Sequence, residues 1–161
     1  MTEFRKIAII GLGLIASSIC LSLRQKDPAI QIVGYDKDKE VRKRAKKIGL
    51  CEIESNIEKA VNDCKLIILC VPVGQMYPVI QKLKNFIKPG TIITDVGSVK
   101  LSVIKELEAH TENAKGKFVP SHPIAGTEKS GPDAGYAGLF EGRWCIFCLL
   151  YTSPSPRDRS I

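Results

Sequence analysis

The chain has 161 residues, of which 44% are hydrophobic and 25% charged, and a formal charge of +7. This length suits one domain with one buried core, and the composition excludes a globally disordered chain. The longest apolar runs, Ile7 to Leu14 and Leu66 to Val73, fall far short of the roughly twenty residues a spanning helix needs, so a cytoplasmic protein with no membrane segment is expected.

In chain order, Lys6 to Gly11 reads as a strand buried on both faces, and Leu14 to Gln25 as a helix. Between them lies Gly11-Leu12-Gly13-Leu14-Ile15-Ala16, a GxGxxA turn in the strand-to-helix context that marks a dinucleotide loop. Gly11 permits the tight turn, Gly13 lets the backbone approach a pyrophosphate, and Ala16 allows close helix packing. The free N–H groups of the helix then face the phosphates. Ile30 to Tyr35 is a second strand ending at Asp36, where a carboxylate can accept hydrogen bonds from both ribose hydroxyls and repel a 2′-phosphate. NAD is therefore favoured over NADP, with Lys37 and Lys39 close enough to moderate the preference. Asp36 also fits the N-cap of the next helix, Lys39 to Ile48, which ends at Gly49. The basic residues concentrate in Lys37 to Lys47 with acids interleaved at helical spacing. That is a solvated face, and no nucleic-acid motif accompanies it.

A short helix over Ser55 to Asn62 precedes the strand Leu66 to Val71. Val71, Pro72 and Val73 then fall at the carboxyl edge of the sheet, beside a cofactor, although Pro72 also serves as a plain strand terminator. Tyr77 to Phe86 is an amphipathic helix, Thr91 to Asp95 a strand, Leu101 to Ala109 a helix and Lys117 to Pro120 a last strand. Ser98, taken alone, reads as a helix N-cap. Ser121 to Glu128 is a Gly/Pro loop that brings His122 and Glu128 to the same edge of the sheet. Residues 1–147 form the dinucleotide-binding domain with its active-site loops. Residues 148–161, rich in Pro, Ser and Arg, read as a disordered, non-native tail.

This alternation predicts an α/β, Rossmann-type doubly wound fold around a mainly parallel sheet. Six cysteines sit mostly within apolar segments, as small core residues in a reducing compartment, and the Cys145/Cys148 spacing carries no metal site by itself.

Four motifs in order, Gly11 to Ser18, Asp95 to Lys100 (DVGSVK), His122 to Gly131 (HPIAGTEKSG) and Leu139 to Arg143 (LFEGR), resemble the prephenate/arogenate dehydrogenase family over about Lys6 to Phe147. The resemblance implies NAD-dependent oxidative decarboxylation of prephenate to 4-hydroxyphenylpyruvate in tyrosine biosynthesis, or of arogenate to tyrosine. It makes His122 the base, Ser98 the serine that hydrogen-bonds it and Glu128 a gating acid, with Ser121 and Thr127 lining the site. Family members continue into a helical C-terminal domain that forms the homodimer and binds substrate carboxylates. Nothing in this chain matches that domain, so little or no turnover is expected of the fragment. Two other readings stay open: a different hydroxyacid or imine oxidoreductase, and a non-catalytic dinucleotide-binding module.

Overall fold

The short β-branched runs pair with one another into a single parallel sheet. The computed structural model describes residues 4–98, 101, 104, 105, 107, 110 and 116–147. Strands β1 (Lys6–Ile10), β2 (Gln31–Tyr35), β3 (Glu52–Ile53), β4 (Leu66–Leu69), β5 (Ile92–Asp95) and β6 (Lys117–Val119) lie in the order β3-β2-β1-β4-β5-β6. Every neighbouring pair is parallel. The order reverses between β1 and β4, which opens a crevice beyond the carboxyl ends of those strands.

Alternation along β1 explains the two layers. Ala8 and Ile10 point into one core with Ala60 of α3 (Ile57–Val61) and Met76, Ile80 and Leu83 of α4 (Val73–Leu83). Ile7 and Ile9 point the other way, toward Ala16 and Cys20 of α1 (Leu14–Lys26) and Ala45 of α2 (Lys39–Lys47). A strand buried on both faces must be apolar at every position, and the central residues of β1 are. The cationic residues of α2 stay largely exposed and only Ala45 is buried, so the basic stretch is a solvated face. Gly49 closes α2 at φ +64°, a conformation that costs little only without a Cβ.

Several elements differ from expectation. The helix expected over Tyr77 to Phe86 begins at Val73, directly after Pro72, because Gly74 and Pro78 conceal its first turns in the sequence while their backbone still accepts helical angles. The two-residue strand β3 was too short to carry a periodic signal. The expected Leu101 to Ala109 helix lies partly outside the described residues; positions 101, 104, 105, 107 and 110 are helical. The segment expected as a loop around His122 contains a strand, β7 (Ser121–Pro123), paired antiparallel with β8 (Cys145–Phe147). Its hydrogen-bond partners lie more than twenty residues away, beyond any local signal. The expected tail, 148–161, lies outside the described residues, as does Cys148. Among the described residues no helix is long and apolar enough to cross a membrane.

Candidate functional site

The crevice at the strand-order reversal holds a cavity of about 230 Å³, lined by the ends of β1, β2 and β4 and by α4. Gly11, Leu12, Gly13, Asp36, Val71 and Pro72 all line it. Gly11 sits at φ +92°, and a Cβ there would stand 2.7 Å from the Cys70 carbonyl oxygen, so glycine is required twice over. Around Gly13 the situation is opposite, since a Cβ would meet nothing within 4 Å. Gly13 is also the N-cap of α1, which has neither a side-chain cap nor an acidic residue in its first turn. The N–H groups of a thirteen-residue helix therefore open onto free space with no competing carboxylate, a fit for a dinucleotide pyrophosphate.

Leu12 is fully buried, and its backbone N–H, not its side chain, serves the site by donating to Asp36 Oδ2 at 2.8 Å. The other carboxylate oxygen of Asp36 accepts from Asp38 N at 2.8 Å. The α2 N-cap is thus Asp38, which accepts from Glu40 N, and not Asp36. Two aspartates flank Lys37 and either satisfies the cap preference, so only the fold decides between them. Leu14, Ile15, Ala16 and Val73 do not line the cavity. Leu14 and Ala16 face the core, and Val73 packs against the α4 side of the sheet. Lys37, Gln75 and Val79 line it without having been singled out for it, because only the fold brings α4 alongside the end of β2.

Farther along the same edge, β5 ends at Asp95 and is followed by Gly97 and the exposed Ser98, while β6 leads through Pro120 to Ser121 and His122. Asp95 is completely buried. One of its oxygens accepts from Ser121 N at 3.1 Å and the other from Gly97 N at 3.0 Å. The Ser121 hydroxyl donates to the Asp95 carbonyl, and the Thr94 hydroxyl reaches both the Val119 carbonyl and the Ser121 hydroxyl. Burial pushes the Asp95 carboxyl above the usual carboxylate range, offset partly by the Ser121 and Gly97 amides and by His122. Burial likewise pushes the neighbouring Cys70 thiol up, and the charge of Asp95 adds to that.

The His122 Nδ1 atom is buried and has no hydrogen-bond partner among the described residues. The serine-to-histidine bond implied for Ser98 is therefore not made at Nδ1, and Asp95 joins the two segments instead. Thr127 and Glu128 lie on the exposed stretch that follows, where Thr127 Oγ1 accepts from Lys129 N. The stretch returns over α1 through two 3-10 turns, Pro132–Ala134 and Ala137–Phe140, and is fastened by the Arg44–Asp133 ion pair.

A six-stranded parallel sheet with this order, a glycine loop and an acid closing β2 define a Rossmann-type nucleotide-binding domain. Comparison with known proteins narrows the class. Residues 19–156 match the family model described as prephenate dehydrogenase, nucleotide-binding domain, and the chain belongs to that family. It is 46% identical over 142 residues to the cyclohexadienyl dehydrogenase of Zymomonas mobilis, covering 88% of this chain and 48% of that one. A crystal structure of prephenate dehydrogenase from A. aeolicus in complex with hydroxyphenyl propionate and NAD+ superposes with a TM-score of 0.83 at 31% identity, covering 93% of this chain and 52% of that one. Synechocystis arogenate dehydrogenase superposes at 0.80 with 28% identity, covering 92% and 52%. The chain spans about half the length of the curated relatives it matches or less, 48%, 40% and 38% for three of them. The family match begins beyond the glycine loop, so the reading of that loop rests on its own geometry.

Proposed function

We propose that this chain is the NAD-binding half of a cytoplasmic dehydrogenase that oxidatively decarboxylates prephenate, or alternatively arogenate. The observation that carries the reading is His122, a histidine with a buried, unpartnered ring nitrogen, on the same sheet edge as a glycine-loop cavity closed by a carboxylate. The backbone from Gly11 to Ala16 receives the pyrophosphate, and Asp36 receives the ribose hydroxyls and disfavours a 2′-phosphate. Val71, Pro72 and Val73 border the nicotinamide end. NAD, when bound, accepts a hydride from the substrate ring. His122 takes the proton of the ring hydroxyl, and because Nδ1 is shut away from solvent, Nε2 is the nitrogen that hydroxyl meets. Loss of carbon dioxide leaves an aromatic ring, so the remaining work is orientation. Ser98 lies just past the end of β5 on the histidine's edge of the sheet, Ser121 and Thr127 flank the substrate, and the exposed Glu128 gates its entry. The free thiols of Cys20, Cys51, Cys64, Cys70 and Cys145 agree with a reducing compartment. The homodimer belongs to the further half that the relatives possess.

Two experiments test this. Calorimetric titration of the chain with NAD and NADP should give saturable binding with NAD preferred, and no binding of either would sink the cofactor half of the proposal. Completing the chain with the second half of the Zymomonas relative should restore turnover of prephenate or arogenate. His122→Asn in that chimera should cut turnover by about a hundredfold or more while leaving NAD affinity nearly unchanged. An unaffected rate would remove His122 from the chemistry.

A further inference from the structure

Nothing in the family match or in the roles proposed above gives Asp95 a part, yet it is the one buried carboxylate among the described residues. Its position is unusual in a second respect. The Gly97 amide it holds with one oxygen is one residue from Ser98, and the Ser121 amide it holds with the other is one residue from His122. Gly97 and Ser121 belong to segments that leave different strands, β5 and β6, which are paired in register only as far as Thr94 and Val119. Beyond that register the ladder stops, and Asp95 takes over the connection. From the geometry we infer that Asp95 is the positioning residue of the active site, a carboxylate bridge that fixes the Ser98 and His122 segments relative to one another and sets its negative charge beside the imidazole.

This inference deepens the dehydrogenase reading and rests on it for the word active. The bridge itself stands on the hydrogen bonds. A neutral spacer would not serve equally. Both partners are amide donors, so both positions of the bridging group must be acceptors, and only the carboxylate among side chains of this size offers two. A carboxamide in its place keeps one acceptor and turns an N–H₂ toward the other amide, so one segment is released. Leaving a buried group unsatisfied is costly, so burial of this carboxylate is tolerated only because its oxygens are occupied. The ionisable groups facing Asp95 are His122 on β7 and Cys70 at the end of β4. Of these, His122 favours the ionised carboxylate, and the Cys70 thiol, pushed up by desolvation and by the Asp95 charge, remains neutral.

The test uses the chain as it is, because it contains only two histidines, His110 and His122, and their ring signals are separable by NMR. On acid titration of the parent chain the Gly97 and Ser121 amide protons should move together at one midpoint above the usual carboxylate range. The His122 ring signals should show an inflection at that same midpoint and the His110 ring should not. In Asp95→Asn this shared inflection should vanish and the His122 ring signals should be displaced, while NAD affinity changes less than about threefold. Amides that titrate together without the His122 ring following would reduce Asp95 to a structural tie and overturn the inference. So would a folded Asp95→Asn chain whose His122 signals stay in place. If that variant does not fold, the parent titration decides alone. If the parent chain fails to bind NAD, the dinucleotide reading falls, yet the Asp95 titration still reads out, so the two failures are distinct.

Discussion

Gly11 and Asp36 show how single residues fix the nucleotide crevice. Replacing Gly11 with Ala forces a side chain into a φ of +92° and drives its Cβ to 2.7 Å from a backbone oxygen that β1 and β4 hold in place. The left-handed conformation alone costs about 1–2 kcal/mol, and relief of the contact requires the loop to move away from β4. Gly11→Ala is therefore expected to lower stability by about 2 kcal/mol or more in chemical denaturation and to weaken NAD binding by at least tenfold. Unchanged affinity would mean that the loop is not the pyrophosphate seat. Asp36 offers a different test, since its carboxylate already organises the loop through Leu12 N before any ribose arrives. Asp36→Asn keeps one acceptor but loses the charge that repels a 2′-phosphate. NAD affinity should fall by about tenfold and the NAD-to-NADP ratio should narrow, as read by parallel titrations. A ratio that stays fixed would place cofactor choice elsewhere, with Lys37 the nearest cation on the cavity wall.

At the scale of elements, the segment after β7 is held to the domain by close approach of small residues. A Cβ on Gly135 would lie 2.3 Å from Ser17 Cβ and 2.8 Å from Ser18 N, so no larger residue fits without lifting the segment off α1. Ser18 Oγ accepts from Tyr136 N at 3.1 Å while donating to Leu14 O at 2.9 Å, and Arg44 pairs with Asp133 from α2. Gly135→Val should thus raise the rate of limited proteolysis between residues 124 and 144 several-fold and leave β1 to β5 protected; equal cleavage rates would show that the packing is dispensable. These same contacts mark the boundary of what the sequence discloses. The β1 turn, Asp36, the strand ends and the parallel α/β layout follow from local patterns, since periodicity, glycines and caps act within a few residues. Ser17 and Ser18, by contrast, look like ordinary polar helix residues until Gly135 is folded onto them. The β7–β8 ladder depends on a pairing equally distant in sequence. Asp95 is legible in the sequence as a strand end and as the first residue of DVGSVK, but its bridging role is not, because that lies in two amides the fold brings together from separate segments. The side chains of Val73, Leu14 and Ala16 turn toward the core, as the close packing expected of Ala16 requires, so what these positions offer a cofactor is backbone.

For the whole molecule, the buried thiols set how stability responds to alkali. Cys64 is pushed from the ordinary thiol value of 9.0 up to about 11 by burial, and Cys70 is raised by the same cause. Cys20 is raised as well, chiefly because it holds its hydrogen toward Cys51 and then because it is buried. Cys51 is shifted the other way, lowered by that hydrogen bond with Cys20 and by Arg24. The sign follows from proton counting. Above pH 9.0 the unfolded chain releases the protons of Cys20, Cys64 and Cys70 while the folded chain keeps them, so stability falls as pH rises. Cys51 opposes this only below 9.0, where the folded chain has already lost a proton that the unfolded chain retains; above it both states are ionised and its contribution is constant. Each thiol held protonated contributes a slope of about 1.4 kcal/mol per pH unit, and for Cys64 the decline ends near its folded value of about 11. Urea unfolding in the presence of a reductant, repeated on either side of the ordinary thiol value, should show a flat or slightly rising stability below it and a steep fall above. Cys70→Ala keeps a small apolar side chain at this half-buried position and removes one titrating group, so its alkaline slope should be shallower by about one thiol's share. Parallel slopes for parent and variant would mean that the alkaline loss comes from groups other than these cysteines.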